Sequence, residues 1–277
     1  MKYSIKIGII GGSGLDDADI LQDVSLKTVT TPFGPPSDVL KEGTISGIKC
    51  VLLARHGRKH NITPTQVNYR ANIWALKEAG CTHILASSAC GSLKENIVPG
   101  DIVIPDSFID LTRHRDLTFY NNNEPTPTKV VHIPMEPAFC GETRKVLYES
   151  AKELGIKCHE KGTSVVIEGP RFSTLAESNV FRCWGAHLVN MTLVPEVTLA
   201  KELGLCYANI AMATDYDCWH ESSAAVNVEQ VIKIFSENVE KVTKIIIHSI
   251  EVIASKNWDD IIDKLNDVIE SSIQSKT

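Results

Sequence analysis

CVLLARHGRKHNITPTQVNYRANIWALKEAGCTHILAS, residues 50–87, carries the pattern on which the rest of the chain is built. The apolar run from Cys50 to Ala54 has the length of a buried strand and breaks at Arg55-His56-Gly57. A helix is expected over 64–79. Thr63 can cap it, Pro64 suits a first helical position, Gln66 stands three residues after the cap, and Gly80 lies beyond the end. A second apolar run over 83–87 reads as the next strand. Strand, helix and strand in succession form a βαβ unit, which argues for parallel pairing with helices covering the sheet.

The same alternation continues on both sides. Upstream lies an apolar run over 5–10, ended by Gly11-Gly12-Ser13-Gly14. Downstream, strands are expected over 101–105, 163–168, 187–191 and 206–214. Helices are expected over 142–154, over 174–184, and from Pro195 to just before Gly204, with Gly155 and Gly185 closing the first two. The stretch 111–129 is polar, holds Asn121, Asn122 and Asn123 in a row, and reads as a surface loop. A last long helix starts near Val228, with Asn227 as its cap and Gln230 in the capping-box position. Val228, Val231, Phe235, Val239, Val242 and Ile246 recur at helical spacing along it. The expected fold is α/β: one domain over 1–277, built on a twisted, mixed but mainly parallel β-sheet flanked by helices.

Bulk composition narrows the classes of partner. The 277 residues are 43% hydrophobic and 22% charged, ordinary for a globular chain, and 28 basic against 34 acidic residues give a net charge of −6. That balance favours no nucleic-acid partner. The apolar start of the chain is too soon interrupted by glycine for a signal peptide, and no apolar run reaches membrane-spanning length. The eight cysteines contain no C-x-x-C pair and are read as reduced thiols. The expected location is the cytoplasm, compatible with a nuclear fraction.

In open parallel sheets ligands bind beyond the carboxyl ends of the strands. The segments after the expected strands here are Gly11-Gly12-Ser13-Gly14, Arg55-His56-Gly57, Ser88-Ala89-Cys90-Gly91, Gly169-Pro170-Arg171-Phe172-Ser173, Met191-Thr192 and Asp215-Tyr216-Asp217. Several offer glycine-exposed amides, hydroxyls and an arginine, groups suited to an anion. Taken singly, each has a plainer reading. The glycine loop matches neither common nucleotide fingerprint and, taken alone, reads as a tight turn sooner than as an anion site. Arg55 would fit a surface ion pair. Cys90 fails the nucleophile-elbow pattern and reads as a buried structural thiol, while His56 and His60 lack a third metal ligand. Asp215 and Asp217 are more specific. Two residues apart on a strand end, they would point the same way, and two desolvated carboxylates raise at least one pKa. A solvated turn is the plain alternative for this pair.

The ordered segments GIIGGSGLDD (8–17), TPFGPPSD (31–38), LLARHGRKH (52–60), NYRANIWALKEAGCTH (68–83), SACGSL (88–93), PGDIVIPDSFID (99–110), HIPM (132–135), IEGPRFST (167–174), WGAHLVNMT (184–192) and VPEVTLAKELGLCYANIAMATDYDCW (194–219) add a second argument. Together they resemble the 5′-methylthioadenosine phosphorylases of the trimeric purine nucleoside phosphorylase superfamily. The resemblance implies that fold, and cleavage of a purine nucleoside by inorganic phosphate as co-substrate, with no metal and no organic cofactor. It implies phosphate binding by Ser13, Arg55, His56, Ser88, Ala89 and Thr192, and nucleoside binding by Met191, Phe172, Asp215, Tyr216 and Asp217. Ser13 and Ser88 stand where many relatives carry threonine; serine keeps the hydroxyl. Asp215 would donate the proton to the leaving purine. Ser173 and Val228 match specificity positions. His132 would serve the 5′ pocket of a neighbouring subunit, so a homotrimer is expected. Two carboxylates suit a 6-aminopurine. The alternatives are a phosphorylase preferring 6-oxopurine nucleosides or methylthioinosine, a cysteine–histidine hydrolase using Cys90, and a nucleoside-binding module without turnover.

Overall fold

The computed structural model describes residues 2–12, 15, 19–121, 129–220 and 228–274. In chain order the strands are β1 (Ile7–Gly11), β2 (Gln22–Lys27), β3 (Leu40–Ile45), β4 (Ile48–Ala54), β5 (His83–Ser92), β6 (Ile102–Val103), β7 (Ser107–Asp110), β8 (Cys158–His159), β9 (Thr163–Val166), β10 (Leu188–Asn190) and β11 (Cys206–Asp215). The helices are α1 (Tyr69–Glu78), α2 (Gly141–Glu153), α3 (Leu175–Cys183), α4 (Leu193–Glu202), α5 (Val228–Ser255) and α6 (Asp259–Ser272).

The β1, β4, β5 and β11 strands run parallel through the middle of one mixed sheet, with β5 between β1 and β11. Alternate residues of these strands leave on opposite faces, as the pleat requires. Ile7, Ile9, Leu52, Leu85, Ala208, Ile210 and Met212 pack on one side with Val146, Leu147, Phe235, Val242, Ile246 and Ile250, contributed by α2 and α5. Ile10, Val51, Leu53, Ile84 and Ala86 pack on the other side with Ile73, Leu76, Leu193, Val197 and Leu199, contributed by α1 and α4. Near-continuous apolar runs are what strands covered on both faces need. Trp258 closes the first side, fully buried, with its indole N–H donated to Ile253 O at 2.8 Å and its ring edge-on to His83 at 4.3 Å.

Two features of the sheet create the site. Strand β5 lies along β1 as far as Ala86 and then takes a different neighbour, Gly91 and Ser92 pairing antiparallel with Val189 and Leu188. Strand β11 tracks β5 throughout but shifts register between Ala213 and Asp215, so that Asp215 comes opposite Gly91. A bulge of this kind re-aims the side chains beyond it.

Several expected boundaries are corrected. The helix read over 64–79 starts at Tyr69, because Asn68 caps it, accepting from Ala71 N at 3.1 Å while donating to Phe33 O at 2.7 Å. Thr63 instead begins a separate turn, its carbonyl accepting from Gln66 N and Val67 N. The antiparallel pairs β2–β3 and β3–β4 extend one edge of the sheet where no strand was expected between the run over 5–10 and Cys50. The expected loop over 111–129 has no regular structure in its described part, yet buries Phe119, whose N–H binds Glu202 Oε2. The α3 helix begins as expected, with a capping box joining Thr174 and Glu177. Asn227 lies outside the described residues.

Candidate active site

A cavity of about 420 Å³ opens at the carboxyl ends of β1, β4, β5, β10 and β11. Its lining brings together Arg55, His56, Ser88, Ala89, Met191, Thr192, Phe172, Ser173, Asp215 and Asp217. These come from five separate stretches of the chain, and the sequence had pointed to each of them. Ser13 lies outside the described residues, but its neighbour Gly12 is in the lining. Val228 is the first residue of α5 and its side chain also lies outside them; Val231, one turn further, reaches the cavity.

One end of the cavity gathers a buried guanidinium with backbone amides and hydroxyls. Gly12 N donates to Ser87 Oγ at 3.1 Å, which ties the glycine loop to β5. A Cβ at Gly12 would stand 2.6 Å from Ser87 O and 2.8 Å from Arg55 Nη1, so only glycine allows this approach. Arg55 is no surface group: it is buried, and its Nε and Nη2 donate to Glu196 Oε2 and Oε1 at 2.7 and 2.9 Å. Its Nη1 donates to Ser87 O at 2.8 Å. Burial opposes the charge on Arg55, but the Glu196 carboxylate outweighs it and holds the guanidinium pKa above its ordinary value. His56 Nδ1 sits 2.8 Å from Ile62 O, an arrangement that requires Nδ1–H and puts the neutral ring's lone pair at Nε2. Ser88 Oγ is 2.9 Å from Asn209 Oδ1. Asn190 Oδ1 accepts from the amides of Thr192 and Leu193, both at 2.7 Å, and so fixes the turn that presents Thr192.

The other end carries the acids. Asp215 Oδ2 accepts from Thr214 Oγ1 at 2.8 Å, and Oδ1 accepts from Asp217 N at 2.7 Å. Burial pushes the Asp215 carboxyl up to about 6; those two hydrogen bonds pull against it, and the Asp217 charge adds a little. Burial likewise raises Asp217, against the pull of the neighbouring Ser178 and Ser173 hydroxyls. The acids share the cavity, though not by strand alternation as expected. Asp217 has φ of +52° and turns back toward Asp215 beyond the bulge. A Cβ on Gly91 would come within 3.1 Å of Asp215 Oδ1, so that glycine makes room for the pair.

Two expected residues are placed elsewhere. Tyr216, between the acids, is absent from the lining; its ring stacks on His220 with centroids 4.5 Å apart, because the turn that brings both carboxylates inward sends the residue between them outward. His132 is exposed, and its segment is held to the C-terminal helix by His132 N donating to Ser272 O at 3.1 Å. It does not line the cavity of its own chain. Cys90 does, but as a thiol: burial pushes it up to about 11, and Asn190 Nδ2 donates to its sulfur at 3.2 Å. A sulfur held protonated near neutrality is a poor nucleophile. Among the described residues no group of three or more His, Cys, Asp or Glu side chains gathers in a way that could hold a metal ion.

The residue that sequence reasoning missed is Glu196. Its signal was present: a lone acid in the apolar run Leu193-Val194-Pro195-Glu196-Val197 will be buried, and a buried carboxylate demands a partner.

A buried guanidinium and a carboxyl with a raised pKa share one cleft on this mixed sheet, and the chain belongs to the phosphorylase superfamily, whose family model matches residues 6–251. Within that class it is similar to methylthioadenosine phosphorylases. It is 62% identical to the S-methyl-5′-thioadenosine phosphorylase of Anopheles gambiae over 99% of this chain and 98% of the relative. It is 57% identical to that of Xenopus tropicalis over 98% and 96%. Among solved structures, the methylthioadenosine phosphorylase of Schistosoma mansoni in complex with adenine superposes with a TM-score of 0.95, at 44% identity over 98% of this chain and 99% of the other. A variant of the adenosine/methylthioadenosine phosphorylase of that organism, in complex with methylthioadenosine, gives 0.94 at 44% identity, with the same coverage of each chain.

Proposed function

We propose that this chain catalyses phosphorolysis of 5′-methylthioadenosine to adenine and 5-methylthioribose 1-phosphate. The observation that carries this reading is the pairing, in one cavity, of the Arg55 end with a buried Asp215 carboxyl near pH 6. Phosphate is a weak nucleophile in water and gains most from being held in line with the sugar carbon it attacks. Arg55 supplies the charge for that, Ala89, Thr192 and the glycine loop at Ser13 supply donors, and His56 Nε2 and the Ser88 hydroxyl complete the cradle as acceptors toward a protonated phosphate oxygen. As the bond to the base breaks, cationic character grows on the ribose, beside Met191, and the bound phosphate stabilises it. The departing adenine takes a proton at N7 from Asp215. Asp217 accepts from the 6-amino group or helps keep Asp215 protonated. Phe172 and Ser173 flank the base, and Val228, at the start of α5, serves as a specificity position. Inorganic phosphate is a co-substrate in this scheme, and no metal or organic cofactor takes part.

The exposed position of His132 supports its service to the cavity of a second copy, and hence a homotrimer. The described cysteines are all unpaired, which supports a reducing compartment, the cytoplasm, with a nuclear fraction compatible. The test is base release from 5′-methylthioadenosine and 5′-methylthioinosine, each with and without phosphate. Adenine release that depends on phosphate is expected. Release that ignores phosphate would refute phosphorolysis, and preference for the inosine analogue would refute the 6-amino reading.

A further inference from the structure

Arginine has five N–H donors in a rigid fork. In Arg55 three are already spent: two on Glu196 and one on Ser87 O. Two remain for a ligand, and their direction is set by what holds the other three. The Ser87 carbonyl fixes one corner of the guanidinium, and the Glu196 carboxylate fixes a whole edge. Glu196 is itself fixed. Its Oε1 accepts from Tyr207 Oη at 2.7 Å, and both residues are buried, Glu196 completely. Tyr207 belongs to β11, the strand that also delivers Asp215, and Glu196 lies in the first turn of α4, just beyond Thr192. A single carboxylate thus ties together the loop of Arg55, the turn of Thr192 and the strand of the acids.

We infer that Glu196, braced by Tyr207, is a positioning residue for phosphate: it aims the two remaining Arg55 donors and supplies the counter-charge while the anion site is empty. The inference rests on the assignment of Arg55 to phosphate. Its physical basis is that a buried guanidinium without a partner is strongly unfavourable and would seek another orientation. With Glu196 in place the fork stays in one orientation between turnovers, so phosphate meets a preformed site. The nucleoside end, built from Asp215, Asp217 and Phe172, makes none of these contacts.

The experiment compares Glu196→Asp, Tyr207→Phe, Arg55→Lys and the double variant Glu196→Asp/Arg55→Lys in the full chain. The readouts are KM for phosphate, KM for methylthioadenosine, kcat and thermal melting. Glu196→Asp keeps the charge but withdraws it by one methylene, and should raise the phosphate KM on the order of tenfold, with the nucleoside KM within about twofold. Tyr207→Phe removes the brace on Glu196 together with a polar contact to Asn209 and should raise the phosphate KM by roughly threefold; it also serves if Glu196→Asp does not fold. In the Arg55→Lys background, Glu196→Asp should add less than about twofold, because its effect passes through the arginine fork. Lower melting temperatures with an unchanged phosphate KM would make Glu196 merely structural and overturn the inference. A full additional effect in the Arg55→Lys background would overturn it as well. If Arg55→Lys itself leaves the phosphate KM unchanged, the phosphate assignment fails and the inference falls with it.

Discussion

Replacing Asp215 by asparagine removes the transferable proton and the ionisable charge while keeping the shape; the amide oxygen can still accept the Asp217 N–H, and the Thr214 hydroxyl loses its carboxylate acceptor. General acid assistance is typically worth about 10²–10⁴ in rate, or about 3–5.5 kcal/mol of barrier. The structure sets how much of this is available at a given pH. With the carboxyl at about 6, roughly one-tenth of free enzyme is protonated at pH 7 and about half at pH 6. At pH 7 the wild-type advantage in kcat/KM over Asp215→Asn should therefore be about 10–10³, one-tenth of the full effect. The ratio of the two enzymes should climb about tenfold from pH 8 to pH 7 and roughly a further fivefold to pH 6. The direction comes from the shift: a raised carboxyl pKa makes the acid form commoner as pH falls. The assay is initial adenine release with 5′-methylthioadenosine and phosphate both well below their KM, at constant ionic strength, so that kcat/KM reports the free enzyme. Taking the ratio cancels the titration of phosphate itself, which both enzymes share. A ratio within about threefold of unity at pH 7, or one flat from pH 8 to 6, would refute the role of Asp215 as proton donor.

The same substitution should stabilise the fold. The raised Asp215 pKa means that the folded state disfavours the carboxylate, a penalty absent below about pH 4, growing through pH 4–6 and complete above that. Asp215→Asn should therefore gain up to about 3 kcal/mol at pH 7 and nothing at pH 4, measured by urea unfolding at both pH values. Gly12→Ala should cost about 1–3 kcal/mol in the same measurement, and raise the phosphate KM, because its Cβ meets Ser87 O and Arg55 Nη1 below contact distance. Cys90→Ser should keep phosphate-dependent adenine release within about tenfold of wild type; adenine release that needs no phosphate and is abolished by Cys90→Ser would favour the cysteine-hydrolase alternative. Trp258→Ala should destabilise by about 3–5 kcal/mol through the cavity left between α5, α6 and β5, read as a lowered urea midpoint.

The sequence by itself determined the strands beneath the site and most of the residues in it. Runs such as those ending at Ala54 and Thr214 are legible because a strand buried on both faces needs an unbroken apolar stretch, and the residues just after such a strand lie at the sheet's carboxyl edge. That local logic placed Arg55, His56, Ser88, Thr192 and Asp215 at one end of the molecule. Helix ends were legible where a cap acts within a few residues, as at Thr174, and illegible where the cap is chosen by a distant contact, as at Asn68 with Phe33. Tertiary structure alone decided the rest. The Glu196 partner of Arg55 lies 141 residues away in the chain, and no local pattern names it. That Tyr216 faces out while Asp217 turns back depends on a register shift between β11 and β5, a property of two strands together. The pKa of Asp215 is likewise set by the bodies that bury it. Sequence carries the chemistry of each side chain and the periodicity of its own element; desolvation, charge pairing and register arise only when separate elements close over one another.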